Sequence, residues 1–326
     1  MTEPTTLAID AARYFGVAAP IRVRDRLRIT VVDRAFEPET DDLQRDWVAS
    51  VAAPAFAILR RRGPPEARRA FATIGTGVGL DALAAIELLE AEVVGLTDLF
   101  PDVVDAAALN VRANLRETVP VLVHAGAGDL LEPLAGRGLR FDVIYENLPN
   151  LPIDDPALIA VARTAASFVP PRPEPVPKFV ADSLLVLHHL ALREARDLLA
   201  PGGSVISTLG ARLPLVDILR MAEEAGYAPR FLTYGWKLQA VAEDVIGTYA
   251  ALQTRGLGPF HFFEAQRLER AFAGLDPETA GRDALAIERD LVPGRLDAVE
   301  ALTAHRSGRR IGHTVAVLES QREESR

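Results

Sequence analysis

Apolar residues fall into two kinds of stretch along this chain. Between about residues 71 and 230, short runs that are apolar throughout alternate with longer, helix-period segments. FATIGTG (71–77) reads as a buried strand ending in glycines, and LDALAAIELLEA (80–91) as the helix that follows. EVVGLTD (92–98), VPVLVHAG (119–126), FDVIYENLP (141–149) and SVISTLG (204–210) predict four more strands. PDVVDAAALNVRANLRE, SLLVLHHLALREARDLLA and LPLVDILRMAEEAG predict the intervening helices. Strands that are apolar on both faces and alternate with helices predict an α/β fold, a Rossmann-like doubly wound sheet with all strand C-termini at one edge. Before it, helical patches at about 5–16 and 43–62 flank IRVRDRLRITVV (21–32), whose period-2 alternation predicts a strand or hairpin.

Punctuation divides the chain into an N-terminal helical and hairpin module (1–70), a Rossmann-like domain (71–256) and a C-terminal helical extension (257–326). Arg60-Arg61-Arg62 before Gly63-Pro64-Pro65 reads as a solvated helix end. A Pro-rich insertion at 152–177, containing FVPPRPEPVPK, predicts a lid or inserted loop. The tail ESQREESR is expected to fray. No internal repeat is present.

Composition narrows the function. The 326 residues contain no cysteine, which excludes a disulfide scaffold and thiolate metal sites. The net charge of −9 disfavours a broad nucleic-acid footprint. No apolar run has transmembrane length, and the N-terminus has no secretory pattern, so a cytoplasmic protein without membrane or nucleic-acid partners is expected. Lys178 and Lys237 are the only lysines, a compositional bias. His188 and His189 are adjacent on a helix, point about 100° apart and cannot chelate one metal, so no metal site is expected.

Candidate chemistry lies at the strand ends. Gly75, Thr76, Gly77 and Gly79 form a G-x-G-x-G loop that opens a helix. A dinucleotide site would place its last glycine where Leu80 stands, whereas this spacing is typical of S-adenosylmethionine (SAM) sites. Asp98 ends the next strand, where a carboxylate accepts ribose hydroxyls. Asp129 follows the third strand, and Tyr145-Glu146-Asn147-Leu148-Pro149-Asn150 ends the fourth. The expected cofactor contacts are Gly75, Thr76, Gly77, Gly79, Asp98, Leu99, Asp129, Leu130 and Asn147. Asn147, Asn150, Tyr145, Phe179 and Ser207 are the candidate reacting-site residues. Phe179 is placed to reach over the pocket from after the Pro-rich loop, and Ser207 to bind an amine or carboxylate. Phe100 is a further aromatic candidate. Glu146 reads as a solvated charge, with a general base as the alternative.

Residues 71–230 resemble class I SAM-dependent methyltransferases, with likeness to the glutamine methyltransferases of release factors and to amino-methylating adenine methyltransferases. Their fourth strand ends in Asn-Pro-Pro-Tyr, and Asn147-Leu148-Pro149-Asn150 aligns with it. FEPETDDLQRDW is similar to the entry to the catalytic domain of the glutamine enzymes. GPFHFF (258–263) and YGWKLQ are similar to short stretches of plant methionine S-methyltransferases. The resemblance implies that Asp129 receives the adenine amino group, and that the Asn147 amide and the Leu148 carbonyl accept from an attacking NH₂. Asn150 replaces the aromatic that stacks on a planar acceptor. The implied substrate is therefore a small, non-planar, amino-acid-like amine or sulfur. Separately, the terminal helices could pack on the sheet, cover the pocket or build a homodimer. The alternative is intramolecular cyclisation of SAM to azetidine-2-carboxylate with release of methylthioadenosine, as in azetidine-2-carboxylate synthases. A SAM-binding partner surface and a macromolecular substrate admitted past the Pro-rich loop are further readings.

Overall fold

The computed structural model describes residues 5–152, 168–169 and 171–322. Its strands in chain order are β1 (Thr5–Asp10), β2 (Arg26–Val31), β3 (Ala70–Ile74), β4 (Val93–Asp98), β5 (Leu122–Ala127) and β6 (Phe141–Glu146). They continue with β7 (Leu151–Pro152), β8 (Phe168–Val169), β9 (Leu199–Ala211), β10 (Tyr227–Leu238), β11 (Phe263–Glu264) and β12 (Ile311–Arg322). The central sheet runs β10-β12-β9-β6-β3-β4-β5, and β11 adds to β12. Pairing among β3, β4, β5, β6 and β9 is parallel, and β12 is antiparallel to both β9 and β10. This is the α/β, Rossmann-like architecture that the alternating strands and helices predict.

Side chains alternate between two apolar layers because neighbouring β-carbons point to opposite faces. Phe71, Val94, Leu96, Val143 and Tyr145 face helices Ala53–Arg62, Leu80–Leu88 and Pro101–Asn114. Ala72, Ile74, Ile144, Val205 and Leu209 face helices Val186–Ala195 and Leu215–Glu224. Both faces are covered, which is why the parallel strands carry continuous apolar text.

The N-terminal hairpin of β1 and β2 is fastened to this body by side chains that imitate a strand edge. Asn114 Oδ1 accepts from the Arg28 N–H at 2.7 Å, and its Nδ2 donates to the Arg28 carbonyl at 3.0 Å. Asn110 repeats this with Thr30 at 2.9 and 2.8 Å. The two asparagines stand four residues apart on one helix face, so they match the two-residue repeat of β2 and satisfy an otherwise open edge. Buried Glu87 accepts the N–H groups of Ile21, Arg22 and Val23 at 2.7–3.0 Å.

Two expectations are corrected here. The stretch 5–16 is not one helix: Thr5–Asp10 is a strand, and Asp10 then caps a short helix, Ala11–Phe15. The stretch 257–326 is not purely helical either. After helices Ala265–Ala271, Pro277–Arg282, Ala284–Leu291 and Ala298–Arg306, the chain enters the middle of the sheet as β12. The first four residues of the tail expected to fray belong to β12. Most of the Pro-rich insertion expected at 152–177 lies outside the described residues, as does the end of the tail.

Candidate active site

The chain builds outward from β3 to β4 and β5, then returns to place β6 on the other side of β3. That reversal opens a crevice at the carboxyl ends of β3 and β6, the position where open α/β sheets take ligands. Register pairs Ile74 with both Thr97 and Glu146, so the loops leaving these strands are neighbours. A cavity of about 1060 Å³ lies there.

Gly75, Thr76 and Gly77 line the cavity. Gly75 and Gly77 have φ of +71° and +50°, which glycine adopts without penalty. The N–H groups of Gly75 and Thr76 both donate to the Thr97 carbonyl at 2.9 Å, which ties the loop to the end of β4. Gly79 has a different task. It does not line the cavity, and a β-carbon there would come within 3.1 Å of the Ala107 carbonyl and 3.2 Å of Val111. With φ at +83° it lets helix Leu80–Leu88 start close to helix Pro101–Asn114. Gly79→Ala is therefore expected to destabilise the fold by about 1–3 kcal/mol in urea titration. Gly77→Ala adds a methyl with no atom within 4 Å. It is expected to unfold more nearly like the parent while weakening whatever rests on the loop.

Asp98 accepts from the Gly77 and Phe100 N–H groups, both at 3.3 Å, and faces the cavity. Burial raises its pKa, and the backbone donors around it oppose that rise. Leu99 and Phe100 line the cavity beside it, with the Arg34 guanidinium 4.5 Å above the Phe100 ring. Asp129 and Leu130 also line the wall. The Asp129 carboxylate is held by Arg172, which donates to both oxygens at 2.8 and 2.6 Å and also pairs with Glu174. A ligand amine that uses Asp129 must share it with this arginine from the Pro-rich segment.

Tyr145, Asn147 and Asn150 reach the cavity. Tyr145 is buried, stacked on Phe71 at 6.4 Å, and its hydroxyl accepts from Thr208 Oγ1 at 3.3 Å. Asn147 is exposed and makes no side-chain hydrogen bond among the described residues. Asn150 Nδ2 donates to the Tyr249 hydroxyl at 2.8 Å. Glu146, read from sequence as a solvated charge, is fully buried. Both its oxygens lie 2.9 Å from His188 Nδ1, and one accepts from the Leu148 N–H at 3.2 Å. The pair thereby fixes the turn that carries Asn147.

Two candidates stand outside the cavity. Phe179 does not reach over the pocket: its helix, Lys178–Asp182, buries Val180 and leaves Phe179 under the Arg220 guanidinium at 4.0 Å. Ser207 is fully buried within β9, opposite Glu146, and its hydroxyl has no hydrogen-bond partner there.

Other residues of the wall escaped the sequence reading. Asp46, from the FEPETDDLQRDW segment, accepts from the Tyr14 hydroxyl at 2.7 Å and from the Ala49 and Glu39 N–H groups at 2.8 and 3.1 Å. Burial, followed by the Asp46 charge, pushes the Tyr14 phenol well above its usual range. Asp81, in the first turn after the glycine loop, accepts from Ala82 N–H at 2.8 Å and from the Thr73 hydroxyl. Burial raises its pKa from 3.8 to about 7. The folded state therefore holds a proton that the unfolded chain releases near pH 4. Stability is expected to fall as pH rises from about 4 to about 7, by on the order of 4 kcal/mol. Asp81→Asn should flatten that slope in urea titrations across the window.

No protein-family model matches the chain, and no curated protein matches it. Among solved structures, it is similar to the ribosomal protein L11 methylase from Lactobacillus delbrueckii subsp. bulgaricus, with 17% identity over 59% of this chain and 72% of that one, at a TM-score of 0.35. It is similar to a methyltransferase from Pyrococcus furiosus, with 18% identity over 56% of this chain and 76% of that one, at a TM-score of 0.36. It is also similar to the YcgJ protein from Bacillus subtilis, with 14% identity over 83% of this chain and 99% of that one, at a TM-score of 0.42. Among the described residues, no helix is long and apolar enough to cross a membrane.

Proposed function

We propose that the chain is a SAM-dependent enzyme that transfers a methyl group to the amine or sulfur of a small, amino-acid-like substrate. One observation carries this reading: the glycine loop, the Asp98 carboxylate and the free Asn147 amide meet in one cavity at the sheet's switch point. Asp98 accepts the ribose hydroxyls, and the glycine turn leaves backbone open to the nucleoside. At about 1060 Å³ the cavity lies at the upper end of the range of about 300–1,000 Å³ usual for small-molecule pockets.

When bound, SAM supplies an activated methyl on a positive sulfur, so the chain has little acid–base chemistry to perform. Its residues hold, orient and exclude water. Asn147 Oδ1 and the Leu148 carbonyl accept from an amine's N–H bonds. They thereby direct its lone pair, and it is the exclusion of water once the ligands are bound that favours NH₂ over NH₃⁺. The Glu146–His188 pair keeps these acceptors in place through the Leu148 N–H. Tyr145, Trp47 and Phe100 supply apolar and aromatic wall.

Mass analysis of SAM incubated with the protein, alone and with each of the common amino acids, tests the reading. S-adenosylhomocysteine that accumulates only with an acceptor supports methyl transfer. Methylthioadenosine formed from SAM alone identifies the cyclisation instead, in which SAM's own α-amine attacks its γ-carbon. No product and no binding in calorimetry overturn both.

A further inference from the structure

The antiparallel side of the sheet brings three basic side chains into the cavity wall. Arg212 follows β9, while Lys237 of β10 and His313 of β12 are register partners. All three are more than nine-tenths buried. Arg212 Nε donates to Gln239 Oε1 at 2.8 Å, and the guanidinium lies 5.5 Å from the centre of the Tyr249 ring. No ion pair to a carboxylate forms at Arg212 among the described residues. Lys237 Nζ has three donors, and it meets three neutral acceptors: the Gln44 and Asp46 carbonyls at 2.7 and 3.1 Å, and Ser50 Oγ at 2.8 Å. Its charge therefore adds to the local field while its hydrogen bonds are spoken for. His313 is the most telling of the three. Both its ring nitrogens are buried without a hydrogen-bond partner, beside the Trp47 ring at 6.4 Å.

Buried charges are normally paired and buried nitrogens normally bonded. A wall with an unpaired guanidinium and an unsatisfied imidazole is completed by an anion with two acceptor oxygens. The guanidinium fork fits a carboxylate side-on, and a neutral imidazole has one N–H to give. Burial and the two neighbouring cations hold His313 well below its ordinary pKa, so it is neutral at physiological pH. The position also links to the predicted acceptor end of the site, because Asn150 donates to the hydroxyl of the tyrosine whose ring Arg212 covers.

We propose that Arg212, assisted by His313 within the field of Lys237, binds the α-carboxylate of an amino-acid group in this cavity. The inference rests on the reading of the cavity as a SAM site and names the chemistry it selects. The carboxylate belongs either to a separate amino-acid acceptor or to the methionyl arm of the cofactor.

Calorimetry on the full chain and on Arg212→Gln separates these sources. S-adenosylhomocysteine carries the carboxylate, and methylthioadenosine is the same nucleoside without it. If the cofactor's carboxylate is bound, Arg212→Gln loses at least tenfold in affinity for the first and keeps its affinity for the second. If an acceptor's is bound, both nucleosides are unaffected. In that case L-methionine added to the S-adenosylhomocysteine complex binds the parent and not the variant, and 3-(methylthio)propylamine, which has no carboxylate, binds neither preferentially. Equal behaviour of parent and variant toward every carboxylate probe overturns the proposal. Arg212→Lys serves if the glutamine variant does not fold; it keeps the charge, loses the fork and should lose affinity for the same probes only. Failure of both nucleosides to bind the parent overturns the SAM reading instead, and L-methionine alone then still reports on Arg212.

Discussion

His188→Ala is expected to destabilise the protein by about 3–5 kcal/mol, read as a lower urea midpoint, because it strands a carboxylate in the core. Glu146 has no solvent exposure, and His188 Nδ1 contacts both its oxygens. Without the imidazole, the Leu148 N–H is the one remaining hydrogen-bond donor to the carboxylate among the described residues. Adding Glu146→Gln to His188→Ala should recover part of the loss, since an amide can be buried more cheaply than an unpaired charge. The same variants should disturb the turn 147–150, so whatever activity remains should fall more steeply than the folded fraction does. A midpoint for His188→Ala equal to that of the parent would show that the pair does not anchor this turn.

Asp98→Ala should weaken S-adenosylhomocysteine binding about 100-fold, the loss of two charge-assisted hydrogen bonds at about 1.5 kcal/mol each. The raised pKa of Asp98 sets a pH signature for the same contact. The carboxylate must be ionised to accept both hydroxyls, so affinity falls as pH is lowered, beginning above the range of an exposed aspartate. Asp98→Asn should bind weakly and show no such step. Calorimetry of parent and variants between pH 4 and 8 measures both. A parent whose affinity is flat over that range, together with an unaffected Asp98→Ala, would remove the nucleoside from this strand end.

The parallel half of the sheet was legible because strands buried on both faces leave unbroken apolar text that ends in turn residues. β10 and β12 were not. YAPRFLTYGWKL carries a proline, an arginine, a glycine and a lysine, and IGHTVAVLESQR runs into a charged tail. The structure makes those charges acceptable in the sheet. Glu319 is buried but bonded to Arg230 at 2.7 Å and to Arg62 at 3.3 Å, and the hydrogen bonds of the Lys237 ammonium are taken up by two loop carbonyls and the Ser50 hydroxyl. The cavity-lining glycines, Asp98 and Asn147 could be named because each ends a readable strand. His188 could not, since its role depends on Glu146, 42 residues earlier, pointing inward. Helical periodicity offered a hint, as His188 lies on a stripe with buried Leu185 and Leu192. The partners of Asp129 and Phe179 were equally remote: Arg172 comes from the Pro-rich segment, and Arg220 from the next helix but one.

β12 is threaded between β9 and β10, two strands that precede it by more than seventy residues. During synthesis both must wait on the ribosome's pace with a ladder half unmade, because the segment that fills the slot is made more than seventy residues after β10. His313 arrives with it. A nascent chain stalled before residue 311 would thus hold a nearly finished strand-end crevice beside an open, adhesive β-edge, a state in which premature termination favours aggregation over partial activity.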